Sequence, residues 1–172
     1  QIKKFSAGKP TAVISTINGD SNVPFYKELG NQGIKAEDIP VVAFSVGEEE
    51  LACLDTSNLV GHLAARNYFQ SAESDVNANF IKTWKKTMGE ERVTNDPMEA
   101  HYIGFNMWVN AVEAAGSTDV DLVRTEMYGQ KFPNLTGGVA EMLPNHHLSK
   151  PVLIGEIQDN GQFDIISQTT EV

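Results

Sequence analysis

Five side chains, Asn18, Asp20, Ser45, Glu48 and Tyr68, have the types and spacing to hold a small molecule. Asp20 and Glu48 can accept hydrogen bonds from ligand N–H groups, Ser45 and its counterpart Ser21 can donate and accept, and Tyr68 with Phe69 supplies a flat apolar wall. Such a set suits a small, polar, uncharged ligand. Each residue also has a structural reading, because Asp20 and Ser21 are ordinary turn formers and Glu48 complements the positive end of a helix.

Other chemistry finds less support. The pair His146-His147 invites a metal, but adjacent side chains point in different directions and no Cys or His partner lies at a ligand spacing, so no metal site is expected. Isolated His62 and His101 read as structural. The single cysteine, Cys53, cannot form an internal disulfide, has no neighbour that would lower its pKa, and is expected as a small buried side chain. No GxSxG, HExxH, Walker A or GxGxxG pattern occurs, so neither cofactor nor catalytic nucleophile is indicated. The run Glu48-Glu49-Glu50 has the chemistry of a catalytic acid but equally that of a solvated helix start.

These residues must be positioned by an alternation of strands and helices. Thr11 to Ile17 is β-branched and apolar and ends at the breaker cluster Asn18-Gly19-Asp20-Ser21, which predicts a strand and a turn. Asn22 is an expected N-cap for a helix over Val23 to Asn31, with Pro24 in its first turn and a stop near Gly33. Pro40 to Val46 is the near-continuous apolar run of a buried parallel strand, broken at Gly47 and followed by acidic residues and a short helix at Leu51 to Leu54. Leu59 to Phe69 gives a third strand, after which Ser74 or Asp75 caps a helix through Phe80, Ile81 and Trp84 to Met88. Three strand-then-helix units predict an α/β fold with a mainly parallel sheet flanked by helices. Its ligand site is expected beyond the carboxyl ends of the strands, where the five candidates fall.

The second half differs. Asp96-Pro97 opens the longest helix, with Ala100, Ile103, Gly104, Met107, Trp108, Ala111 and Ala115 on one face and a stop at Gly116. Trp84 and Trp108 are both expected to pack on helix faces, away from the ligand. Ser117 to Asp119 caps a further helix carrying Val120, Val123 and Met127, and Pro151 to Ile157, a turn at Asp159-Asn160-Gly161 and the following QFDIIS read as a β-hairpin.

With 172 residues, 41% hydrophobic and 21% charged, the chain can bury a real core. A net charge of -10 without a basic cluster makes nucleic acid a poor partner, and no apolar run approaches the roughly 18 residues that cross a bilayer, so membrane insertion is not expected. Gln1 stands where a Met would begin a complete product, so the chain is expected to be cut or processed, with any signal peptide upstream.

Several separated blocks resemble urea ABC transporter substrate-binding proteins: STINGDSNVPFYKEL (Ser15 to Leu29), AFSVGEEEL (Ala43 to Leu51), LVGHLAARNYF (Leu59 to Phe69), VDLVRTEMYGQ (Val120 to Gln130) and NHHLSKPVLIGEIQDNGQF (Asn145 to Phe163). The resemblance implies part of a type I periplasmic binding protein, whose two α/β lobes close on ligand about a hinge that the chain crosses three times. About 1–71 and 133–172 would then belong to the second lobe and about 72–132 would give helices to the first. It also implies capture of urea or a short-chain amide, delivery to permease subunits, a periplasmic location and no enzymatic activity. An amide-sensing regulatory protein of the same fold is the alternative. On this resemblance Asn18, Asp20, Ser45, Glu48 and Tyr68 are the ligand-binding candidates, with no catalytic residue, metal or cofactor.

Overall fold

The computed structural model describes residues 1–169. In chain order the elements are α1 (Ile2–Ser6), β1 (Val13–Ser15), α2 (Asn22–Asn31), β2 (Val41–Ala43), α3 (Glu48–Leu51), β3 (Leu63–Arg66), α4 (Asp75–Met88), α5 (Asp96–Ala115), α6 (Val120–Met127), β4 (Lys131–Pro133), β5 (Val139–Met142), β6 (Leu148–Ser149), β7 (Leu153–Ile157) and β8 (Phe163–Gln168). Single 3-10 turns occupy Gly19–Ser21 and Thr56–Asn58.

β1, β2 and β3 are parallel neighbours, and the hairpin β7-β8 continues the sheet antiparallel to β3, giving the order β1-β2-β3-β7-β8. The parallel part therefore ends at β3. One face of this sheet carries the first core, in which Tyr26 and Leu29 of α2 and Leu51 of α3 pack on Val41, Ala43, Ala64, Leu153, Ile157 and Phe163. The opposite face is less covered, with Ile14, Phe44 and Ile166 exposed.

A second core lies in the helical region. Tyr68, Phe80, Ile103, Met107, Leu135 and Ala140 form it, so α4 and α5 pack with a three-stranded antiparallel sheet, β4-β5-β6. That sheet was not expected. Its strands are two to four residues long and lie among Gly, Pro and Asn, too short to establish a period.

Most helix limits follow their caps. Ser74 accepts from Asn77 N–H to start α4, Asn95 accepts from Met98 N–H to start α5, Asp119 caps α6, and Gly116 ends α5 in the left-handed conformation. Three expectations shift. Asn22 is the first residue of α2, not its cap: it is buried, and its amide donates to Ile17 O at 3.2 Å and Ser45 O at 3.0 Å. The short helix begins at Glu48, not Leu51, because Glu50 turns back to accept from Gly47 N–H at 2.8 Å. The third strand starts only at Leu63, since the chain before it turns through Thr56–Asn58 and Gly61, whose φ is +89°.

Side-chain expectations divide in the same way. Cys53, expected buried, is exposed in the turn after α3. Trp84 is partly buried and faces the groove between α4 and α5, whereas Trp108 is 44% exposed, so only one indole has substantial cover within the described residues. His62 is wholly buried: Nδ1 accepts from Val41 N–H at 3.1 Å and Nε2 donates to Ile34 O at 3.3 Å, fixing one neutral tautomer, and burial holds its pKa below the ordinary histidine value.

Two glycines give a paired test of this packing. A Cβ on Gly155 would sit 2.7 Å from the Phe69 ring and 3.0 Å from Phe163 Cβ, whereas one on Gly104, within α5, would meet nothing within 4 Å. In the full-length protein, Gly155→Ala is expected to cost about 1–3 kcal/mol by overpacking. Gly104→Ala is expected to gain roughly 0.5–1 kcal/mol through helix propensity. Urea-independent thermal or guanidinium unfolding checks both; equal effects would contradict the assigned packing.

Candidate functional site

Because β1, β2 and β3 run parallel and side by side, the loops after their carboxyl ends emerge along one edge. The loop after β1 carries Asn18 and Asp20, and the loop after β2 carries Ser45 and Gly47 and leads into α3 at Glu48. Asn18 caps the 3-10 turn through its side-chain oxygen, which accepts from Gly19 N–H at 3.0 Å, and both Asn18 and Asp20 are exposed. Ser45 is partly buried, and its hydroxyl donates to Ile17 O. With the Asn22 amide on the same carbonyl, this ties the two loops into one rim. Asn18 and Asp20 are thus exposed on the loop after β1, and Ser45 on the loop after β2 is tied to that loop through Ile17 O.

Glu48 and Tyr68 lie elsewhere. Glu48 is 1% exposed and its carboxylate accepts from Gln70 N–H at 2.6 Å. Burial raises its pKa to about 7, opposed by that hydrogen bond and by the nearby Arg66. Tyr68, expected as a flat wall for ligand, is entirely buried in the second core, and its hydroxyl is shared between Asn77 Oδ1 at 2.8 Å and Thr94 Oγ1 at 2.7 Å. Burial pushes its phenol pKa upward. Neither side chain faces an open cleft in this arrangement.

What joins them is Gln70, which the sequence places in a strand-end loop, after Asn67-Tyr68-Phe69, without a role of its own. It stands in Asn67 to Ser74, one of the two segments by which the chain passes between the cores. Its N–H goes to Glu48 and its Nε2 donates to Gln162 Oε1 at 3.2 Å, both on the side of the five-stranded sheet. Its Oε1 accepts from Thr94 N–H at 2.7 Å, and its carbonyl accepts from Asn77 Nδ2 at 3.0 Å, both on the helical side. A Gln directly after the aromatic pair Tyr68-Phe69 has no sequence pattern that would mark this role. The second passage, Lys150 to Val152, is tied to the first by Asn67 Nδ2 donating to Pro151 O at 2.8 Å.

Charges reinforce the same seam. Arg66, at the end of β3, lies 3.5 Å from Asp96 at the start of α5 and also donates to Val46 O. Lys150 pairs with Glu99 of α5, and both are buried. Desolvation still raises the Glu99 pKa, with Lys150 acting in the opposite direction. Elsewhere, His146 is exposed and touches Tyr128 Oη through Nε2 at 3.1 Å, and His147 engages Asn145. Among the described residues no cluster of three His, Cys, Asp or Glu is placed to hold a metal.

With this geometry in place, comparison with known proteins decides the family. A family profile described as periplasmic binding protein domain matches residues 1–172. The chain belongs to that family. Solved structures agree on the fold of this periplasmic binding protein chain. An ABC transporter solute-binding protein from Rhodopseudomonas palustris BisB5, in complex with 3,4-dihydroxybenzoic acid, is 18% identical with a TM-score of 0.81 over 99% of this chain and 48% of that one. A second solute-binding protein, from R. palustris with 4-hydroxybenzoate, is 18% identical with a TM-score of 0.82, covering 98% and 47%. A leucine-binding protein from Thermotoga maritima gives 18% identity and 0.72, covering 91% and 44%. The chain thus spans about half the length of these relatives. It is also 35% identical over 106 residues to a limonene hydroxylase of Geobacillus stearothermophilus, a match that covers 62% of this chain and 19% of that protein.

The Glu99–Lys150 pair yields a direct test. Lys150→Met leaves the Glu99 carboxylate buried without its partner, a change expected to cost about 3–5 kcal/mol near neutral pH. Because the folded state then holds a Glu99 proton more tightly than the unfolded state, acidification favours folding and the loss shrinks as pH falls. Guanidinium midpoints of wild type and variant across pH 5 to 8 check this; a pH-independent difference would assign Lys150 a packing role only.

Proposed function

We propose that this chain is the carboxy-terminal part of an ABC transporter substrate-binding protein that captures urea or a short-chain amide outside the inner membrane and delivers it to permease subunits. The observation that carries the reading is that Asn18, Asp20 and Ser45 stand on the two adjoining loops at the carboxyl ends of the parallel strands β1 and β2. The family match supports the binding role, and the solute-binding proteins of similar fold support transport. Their aromatic acid and leucine ligands differ from the amide proposed here, which rests on the blocks resembling urea-binding proteins and on a rim whose Asn18, Asp20 and Ser45 suit the N–H groups of a small uncharged ligand. Periplasmic residence follows from transport, and among the described residues no helix is long and apolar enough to cross a membrane.

The two cores are assigned to two lobes, with about 1–71 and the β7-β8 hairpin in one and the helices α4 to α6 in the other. Leu135 and Ala140 pack with the helices, which supports drawing the return passage near Lys150 instead of 133. Ligand would complete its shell between the lobes on closure, so binding shifts an open-closed equilibrium and no bond is broken. Glu48 and Tyr68 serve this reading as internal supports, their polar atoms being engaged by the protein itself.

Urea has only four non-hydrogen atoms, and at about -1.5 kcal/mol per atom its affinity ceiling is near -6 kcal/mol, or tens of micromolar. Each lost hydrogen bond of roughly 1 kcal/mol therefore weakens binding about fivefold. In calorimetry on the full-length protein, Asn18→Ala and Asp20→Ala are each expected to weaken urea binding by about that factor, with the unfolding midpoint unchanged for Asp20→Ala and slightly lowered for Asn18→Ala, which also loses the turn cap. The isolated chain is expected to bind at millimolar concentration or undetectably. Unaltered affinity in both variants, or equal micromolar affinity of the isolated chain, would remove this rim or the two-lobe site respectively.

A further inference from the structure

We infer that Glu48 is a positioning residue for the interlobe angle, acting through Gln70 as a proton-sensitive latch between the two packing units. The inference deepens the proposed function and rests on its two-lobe reading, but its test needs no ligand.

The geometry comes first. Glu48 sits at the amino end of α3, in the sheet unit, and its carboxylate takes the backbone N–H of Gln70 at 2.6 Å. Gln70 binds Thr94 and Asn77 with its remaining oxygen atoms, and Thr94 and Asn77 both hold the Tyr68 hydroxyl. One side chain of the sheet unit is therefore connected, through a single residue of the passage, to the starts of both α4 and α5. Opening the seam at α3, where Glu49 pairs with Arg92 and accepts from Asn95 Nδ2 at 3.5 Å, loads this chain of bonds and lets water approach Glu48.

Burial makes the seam depend on the protonation of Glu48, since desolvation of the carboxylate outweighs the Gln70 N–H and Arg66, which both favour the ionised form. From its own helix, Glu49 and Glu50 lie beside Glu48; Glu50 is turned back on Gly47 N–H, and Glu49 is paired with Arg92 at 3.1 Å. β3 contributes Arg66, the passage contributes Tyr68, and α5 contributes Asp96, while Glu99 of α5 acts on Tyr68. Arg66 is shared with Asp96, so it gives the Glu48 carboxylate incomplete compensation. Buried as observed, Glu48 keeps its proton up to about pH 7; in an arrangement that lets water reach it, it ionises near the ordinary glutamate range.

The sign follows from linkage. The arrangement that holds the proton more tightly is favoured at low pH and loses favour as pH rises through about 7. The observed packing is thus the acid-favoured angle, and neutral to alkaline pH shifts population toward an angle that hydrates Glu48. A single linked proton limits the change in population ratio to about tenfold per pH unit.

The test measures distances in the full-length protein with spin labels at Cys53, which is exposed in the sheet unit, and at Ala114→Cys on exposed α5, any other cysteine being replaced. Double electron–electron resonance between pH 5 and 8, without ligand, is expected to show the distance distribution of the otherwise unaltered protein shifting with pH. Glu48→Gln should abolish the shift, since the amide still accepts from Gln70 N–H but carries no proton to lose, and Glu49→Gln should retain it. A distribution that stays fixed from pH 5 to 8 before any change at Glu48 overturns the latch whether or not Glu48→Gln folds. Persistence of the shift in folded Glu48→Gln, or its loss in Glu49→Gln, also overturns it. If urea does not bind while the pH-dependent shift persists, the ligand assignment fails and the latch stands.

Discussion

Gln70 is the residue through which the two halves of this structure hold each other. It spends its backbone N–H and side-chain amide on the sheet unit, and its carbonyl and side-chain oxygen on the helical unit. A polar seam of this kind has consequences that an apolar contact lacks. Hydrogen bonds are directional, so they fix an angle, and each buried group left unpaired costs about 1–3 kcal/mol, so the angle resists small distortions. Partial opening is then disfavoured relative to a discrete second arrangement in which water replaces the lost partners.

That constraint explains where the structure places its ionisable groups. Glu48, Glu99 and Lys150 are among its most buried charged side chains, and all lie along the seam. Burying charge is a weak route to stability, because desolvation offsets most of the attraction. The two apolar cores supply cohesion on either side, through Tyr26, Leu51 and Phe163 in one and Phe80, Ile103 and Met107 in the other. The seam supplies orientation. The accessible rim of Asn18, Asp20 and Ser45 lies at one end of the sheet unit, which suits a ligand whose final contacts depend on how the units meet.

Much of this was legible in the sequence, for identifiable reasons. The apolar run at Pro40 to Val46, the cap residues Ser74 and Asp119 and the Asp96-Pro97 start announce a parallel strand and three helices, because those signals are local. The Asn160-Gly161 turn announces the β7-β8 hairpin in the same way. Strands β4 to β6 left no trace, being two to four residues long. The rim was legible because strand order and strand direction together determine which loops meet. The roles of Gln70, Asn67 and Lys150 were not, since each acts across a gap of more than twenty residues and is of a type common on surfaces. Tyr68 shows the same limit: its place after a strand marks a site edge, while its burial depends on Asn77 and Thr94.

The amide assignment is the claim on which transport of this particular ligand class depends. Calorimetry on the metal-free, full-length protein, titrated in parallel with urea, acetamide, leucine and 4-hydroxybenzoate, tests it most directly. Heat from urea or acetamide with none from the two larger ligands is the predicted result; heat from leucine or 4-hydroxybenzoate alone would contradict it.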